Sequence, residues 1–231
     1  LWIGTFEITN KQLEIFDPAH DSRVESRLGL SHGIRGFYVN SPLLPACRVS
    51  WKTANAFCEW LSEKTGKKFR LPTADEWKFA AQANSNAPLG FGALDADFTG
   101  DANLADQMLI EFICDQYYHD RVPMNATYYD DWIPKSRQYC DDGFLSEIPG
   151  SYKPNPYGVF DLRGNVAEWT ADLASPNYGV DVMDSQEPSR IIVGGSWHDR
   201  PYRAAADFKT AQPEWARIFD VGFRVICENA E

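Results

Sequence analysis

Between residues 157 and 169 the chain reads YGVFDLRGNVAEW, with Asp161 and Glu168 as its two acids. Gly164 and Asn165 lie between them, a pair that lets a backbone turn sharply and aim carbonyl oxygens inward. Calcium takes about six to eight oxygens from carboxylates and main-chain carbonyls together, so two acids around a glycine turn can supply several at once. The same residues also suit a plain turn, in which Asn165 caps the chain, the acids are solvated, and Phe160, Val166 and Trp169 enter the core. A second gathering of oxygens lies upstream. Residues 82–156 are rich in Asp, Asn, Tyr and Gly, include the acidic runs ANLAD and CDDGF, and hold Cys114 and Cys140. An irregular stretch of that length needs bound ions or disulfides besides an apolar core to hold it.

The elements that must position these residues are legible by period. Residues 2–8 alternate like a strand, and Thr9-Asn10 offers a cap for a short helix through KQLEIF, stopped by Asp17-Pro18. Residues 19–46 read as a long surface loop. Trp51, Ala54, Phe57, Cys58 and Leu61 recur at helical spacing after Ser50, and Gly66 ends that helix. Thr73 and Glu76 stand in capping-box spacing ahead of Trp77, Ala80 and Ala81. Residues 105–117 suggest one more helical segment. Further on, 190–193 reads as a strand, Gly194-Gly195-Ser196-Trp197 as a tight turn and 220–227 as a closing strand that pairs with the first. With no repeat and no linker, residues 1–231 are expected to form a single domain of a longer protein.

The totals exclude several classes. A net charge of −11 and a pI near 4.8 leave no basic stripe for nucleic acid, and no apolar run is long enough to span a bilayer. Hydrophobic residues make up 44% of the chain, which places it among globular proteins. The 5 cysteines are widely spaced without a CxxC, so a zinc site is not expected and at least one thiol stays unpaired within the chain. The sequon Asn125-Ala126-Thr127 matters only in a host that glycosylates secreted proteins. The chain opens at Leu1 within a strand-like run and shows no signal-peptide pattern, as a mature piece or an excised domain would.

Taken in order, GTFEITNKQ, RVSWKTANAFCEWLSEKTGKKFRLPTADEWKFAA, YGVFDLRGNVAEW, VGGSW and VGFRV resemble the formylglycine-generating enzyme family, also called the sulfatase-modifying factor domain. The resemblance covers nearly the whole chain. It implies an α+β fold, the irregular C-type lectin-like fold with little regular secondary structure. It also implies two calcium ions. One would be held by Asp161, the carbonyls of Gly164 and Val166, and Glu168; the other by Asn103, the carbonyl of Leu104, Asp142 and the carbonyl of Phe144. Extracellular members link the first long helix to the strand after GFR, which implies a Cys58–Cys227 disulfide, with Cys114 and Cys140 as a second pair and Cys47 left free. Such bridges imply an extracellular, periplasmic or secretory compartment.

The departure from the family is equally informative. Members that convert a sulfatase cysteine to formylglycine bind copper through two cysteines after the GGS turn, because soft thiolates hold Cu(I). Here the segment reads GGSWHDRPYRAAADFK, about three residues shorter, with no Cys from Ser196 to Phe223. Copper is therefore not expected. Nothing resembles the helical domain that supplies histidines in the sulfoxide-forming iron relatives, and the 4 His are scattered, with His20, His32 and His119 in loop-like runs. Three readings follow. In the first, the chain is a non-catalytic module whose old cleft, lined by Trp197, His198, Asp199, Arg200, Tyr202 and Arg203, binds a peptide, glycan or partner protein. In the second it is an oxidase-type enzyme with an altered metal site. In the third it is a ligand-display protein diversified by a retroelement, which Ala204-Ala205-Ala206 and the lack of Asn between His198 and Phe219 oppose.

Overall fold

The computed structural model describes residues 1–23, 39–106, 138–143, 145–175 and 187–228. Strand β1 (Trp2–Ile3) leads to helix α1 (Asn10–Glu14), helix α2 (Trp51–Thr65), strand β2 (Phe69–Arg70) and helix α3 (Ala74–Gln82). After a long irregular stretch come β3 (Ala167–Leu173), β4 (Ser189–Val193), a 3-10 turn (Pro201–Ala204), β5 (Thr210–Pro213), β6 (Val221–Gly222) and β7 (Ile226–Cys227).

The helices start where their caps dictate. Ser50 Oγ accepts the Thr53 N–H, and Gly66 closes α2 with its φ of 70° by donating to the Ser62 carbonyl. Thr73 and Glu76 form the reciprocal capping box of α3, and Thr9 with Gln12 forms another ahead of α1. The apolar faces then pack as their spacing requires. Ala54, Phe57 and Cys58 of α2 join Leu13, Leu71, Trp169, Ile192 and Phe223 in the larger core. Trp77, Ala80 and Ala81 of α3 join Val159, Leu162, Ile191 and Val193 in a second.

Two sheets carry the domain. The order β1-β7-β2 places the last strand in the middle of a three-stranded sheet, with Cys227 opposite both Trp2 and Phe69. The order β5-β4-β3-β6 forms the other, antiparallel except where β6 runs parallel to β3. The first and last strands do pair, as their sequence suggests. The closing strand expected over 220–227 is divided instead: β6 belongs to one sheet and β7 to the other, and Arg224 sits at the crossing. The helical segment expected over 105–117 falls almost wholly outside the described residues. Among the described residues no helix is long and apolar enough to cross a membrane.

Candidate functional site

The 161–168 turn forms where backbone sterics demand special residues. Asp161, Gly164 and Asn165 all have positive φ, and a Cβ on Gly164 would collide with the Asn103 carbonyl oxygen. The side chains that follow are buried, and their charges are settled internally. Arg224 donates from Nε and Nη2 to Glu168 at 2.7 to 2.9 Å, while Trp77 Nε1 donates to Glu168 Oε2 at 2.9 Å. Arg224 Nη1 and Nη2 also donate to the carbonyls of Gly4 and Phe160. Asp161 accepts the Gly150 N–H at 2.6 Å, and burial pushes its carboxyl up to about 6. Glu7 lies in the same pocket of charge. Burial first, then Asp161, holds Glu7 well above the usual carboxylate range, and its Oε2 has no hydrogen-bond partner. Of the four donors expected for the first calcium ion, the structure thus brings Asp161, Gly164, Val166 and Glu168 into one turn but engages both Glu168 oxygens with Arg224 and Trp77.

Among the described residues the second oxygen cluster has no such cation. Asn103 is 1% exposed; its Nδ2 donates to the Leu145 carbonyl and to Asn165 Oδ1, which turns Oδ1 inward, where it finds no partner. A Cβ placed on Gly143 would lie 3.0 Å from that Oδ1, 2.9 Å from Asp141 Oδ1 and 2.6 Å from the Tyr152 hydroxyl oxygen. Three oxygens therefore converge on one point beside a glycine. Asp141 Oδ2 accepts the Leu104 N–H, Asp106 Oδ2 accepts the Asp141 N–H, and burial pushes the Asp141 carboxyl up to about 7. Hard oxygens, one of them orphaned, suit a cation such as calcium. The acid that faces them is Asp141; Asp142 is exposed and its Oδ1 accepts from the Cys140 thiol. Phe144 lies outside the described residues. Among the described residues no three His, Cys, Asp or Glu side chains gather as a metal centre, so an ion here would rest on amide, hydroxyl and main-chain oxygens beside one carboxylate. Asn165 ties the two clusters together, donating from Nδ2 to Glu7 Oε1 and accepting at Oδ1 from Asn103.

The segment after Ser196 splits into an inner and an outer half. Trp197 and Asp199 are buried, with Trp197 edge-on to His198 and Phe219. Ser196 Oγ lies 2.7 Å from Asp220 Oδ2 and 3.0 Å from Asp199 Oδ2, and one hydroxyl proton can serve only one of them. Burial, with the Asp199 charge added, pushes the Asp220 carboxyl up to about 7. Asp199 Oδ1 accepts from Arg203, which lies near the Phe208 ring. Tyr202, 45% exposed, packs edge-on to Phe208, and Arg200 precedes the 3-10 turn. Of the six cleft residues, then, Trp197 and Asp199 build the wall, while Tyr202 and Arg203 present a surface.

The cysteines differ from expectation. Cys47, Cys58, Cys140 and Cys227 are all free thiols, and Cys114 lies outside the described residues. The Cys58–Cys227 bridge is not formed. Val225, two residues before Cys227, is the side chain that packs against the core around Cys58, whereas Cys227 lies further along, between Trp2 and Phe69. Burial pushes the Cys58 thiol up to about 12, and Cys47 is raised by burial and then by Asp220 and Glu7, so both stay protonated and inert. Sequence reasoning missed Glu7, Asp141, Asp220 and Arg224 as structural partners. Arg224 stood in the VGFRV run, but its partner Glu168 is distant in the chain and no local pattern joins them.

Comparison with known proteins agrees with this architecture. The chain is 30% identical over 158 residues to the "Inactive C-alpha-formylglycine-generating enzyme 2" of Mus musculus, covering 68% of this chain and 38% of that one. It is 31% identical over 209 residues to the "Formylglycine-generating enzyme" of Streptomyces coelicolor, covering 85% of this chain and 56% of that one. It thus spans about half or less of these relatives. Two solved structures, PvdO from Pseudomonas aeruginosa and Treponema denticola variable protein 1, each superpose with a TM-score of 0.67 over 98% of this chain. They share 23% and 20% identity with it, and the chain covers 80% and 84% of theirs, a likeness of fold alone. The irregular α+β fold, the glycine turn locked against Asn103 and the family model matched over residues 1–229 converge: the chain belongs to the sulfatase-modifying factor enzyme 1-like domain family.

Proposed function

We propose that this domain is a non-catalytic, calcium-stabilised binding module, whose contact surface is the outer half of the segment after Ser196. The observation that carries this reading is the absence of cysteine from Ser196 to Phe223. The inward positions there are Trp197, Asp199, Ala204 and Ala206, all buried, and none is a soft ligand for copper. A reaction that passes electrons from a thiol substrate to oxygen needs such a metal, so the segment lacks the ligands for that chemistry. What remains outward is an aromatic and cationic pair, Tyr202 and Arg203, of the residue types that dominate binding surfaces. The partner is a peptide, a glycan or a protein.

Calcium supports the scaffold under that surface. The ion would rest on Asn103, Asp141 and neighbouring oxygens, supplying charge that the loop lacks. In the 161–168 turn Arg224 already neutralises Glu168, so a second ion there would have to share that carboxylate. The test of the functional reading is direct. The purified domain is incubated with copper, oxygen and a CxPxR peptide, and mass spectrometry follows conversion of the thiol to the aldehyde. No conversion is expected, and turnover above a metal-free control overturns the reading. A single Cys restored at Ala204 should not rescue activity, because one thiolate cannot impose the linear coordination Cu(I) favours.

A further inference from the structure

We propose that a second, separate cleft, floored by Arg163 between the 82–91 and 153–163 stretches, binds a carboxylate group. The cleft holds about 260 Å³, with Leu89, Phe91, Pro156 and Val159 among its walls. Arg163 is only 5% exposed. Its Nη1 donates to the Leu162 carbonyl and its guanidinium lies 5.4 Å from the Trp77 ring centroid, yet Nε and Nη2 have no partner. Those two nitrogens form one edge of the guanidinium. Their N–H bonds point out in parallel, the fork that a carboxylate accepts with both oxygens.

The surroundings leave that edge uncompensated. Asp207, the carboxylate whose field reaches Arg163, is exposed and paired with Lys78. Two acids also line the cleft, but Asp101 is paired with Lys153 and Asp161 accepts the Gly150 N–H. Burial accordingly lowers the Arg163 guanidinium to about 10, against its usual strong basicity. A bound anion would offset that cost by pairing with the buried charge. Gly90, at φ 79°, keeps the space beside Nη2 open: even a Cβ there would approach it to 3.8 Å. The unpartnered atoms are closed to solvent, so the side chains that cover them must shift to admit a ligand. Lys153, paired with Asp101, also lines the cleft. The volume suits a short group, an acidic side chain or a small free acid, more than a whole cofactor. This proposal is independent of the reading of the segment after Ser196.

The test titrates the whole chain with propionate, with acetyl-aspartyl-amide and with sulfate at constant ionic strength, following Tm and the Arg163 Nε–H resonance. Both carboxylates should give saturable shifts in the wild-type protein, and Arg163→Lys should weaken them about tenfold by losing the bidentate fork. Arg163→Gln should abolish them, and if that variant fails to fold, the wild-type resonance still decides. Tighter binding of the aspartyl compound assigns the site to a partner's acidic side chain; equal or weaker binding assigns it to a free small acid. No saturable shift with either carboxylate overturns the proposal, as does an undiminished response in Arg163→Lys or sulfate binding as tight as propionate.

Discussion

The 161–168 turn and the loop joining Asn103 to Asp141 both bury oxygens without regular secondary structure around them, but among the described residues the first contains its own cation and the second does not. Arg224 neutralises Glu168 and gathers the carbonyls of Gly4 and Phe160. Around Gly143 an orphaned amide oxygen and Asp141 Oδ1 converge, and no described cationic side chain bonds to either. A guanidinium fixed by the chain makes a turn self-sufficient; a cluster of acceptors alone makes a loop depend on what it binds. Asn165 bridges the two, so they share a boundary while differing in what holds them.

The largest effect should come from breaking the self-sufficient side. Arg224→Met leaves Glu168 buried beside Glu7 and Asp161 without a counter-charge, which costs about 3 to 5 kcal/mol. Denaturant unfolding measures it, and a loss under about 1 kcal/mol would show that the guanidinium is not what holds the turn. Next comes the dependent side. Calcium at a hundredfold excess over its dissociation constant should stabilise by about 2.7 kcal/mol, and chelation should remove it. Asp141→Asn or Asn103→Leu should abolish this response while Asp142→Asn leaves it intact; the opposite pattern returns the ligand role to Asp142. Metal analysis should count one ion per chain. A count of two would show Glu168 serving an ion and Arg224 together.

A pH-dependent effect is expected from the inner half of the segment after Ser196, in addition to those of the raised Asp141 and Asp161 carboxyls in the two loops. With Asp220 raised to about 7 in the folded chain, the native state holds a proton that the unfolded chain has released, so stability falls as pH rises from about 4 through 7. One group contributes at most about 1.4 kcal/mol per pH unit to that slope. Asp220→Asn should flatten it by the corresponding amount; an unchanged slope would mean that Asp220 is ionised throughout. The smallest measurement is a count of thiols. Unreduced, denatured protein should titrate at least four, those of Cys47, Cys58, Cys140 and Cys227. Three would restore one bridge, and one would restore both, with the oxidising compartment that they require.

Local signals carried the helices, because a cap and its partner stand three residues apart: Ser50 with Thr53, Thr73 with Glu76. The family and the irregular α+β fold were legible for a different reason, since five short runs in order are read without knowing what any of them touches. The site was legible only as far as its glycine. Gly164 must be glycine for a steric reason visible in the turn, but whether Glu168 meets an ion or Arg224 depends on a crossing between two sheets that no window of sequence contains. Asp141 and Asp142 are adjacent acids, and backbone direction alone sends one inward and the other out. The Cys58–Cys227 expectation failed similarly: alternation along a strand carries no information about how far the strand has travelled past the helix.

The three-stranded sheet has a consequence for how the protein is made. Its central strand, β7, is the last to be synthesised, while β1 and β2 on either side emerge early. At about 5 to 20 residues per second, the ribosome leaves both edge strands without a neighbour for on the order of ten seconds or more. During that interval Phe69 lacks the strand that covers it, and the Gly4 and Phe160 carbonyls wait for an arginine not yet translated. The sheet can close only after release of residues 226 and 227, so a nascent chain arrested short of them should stay open to protease at its amino-terminal end.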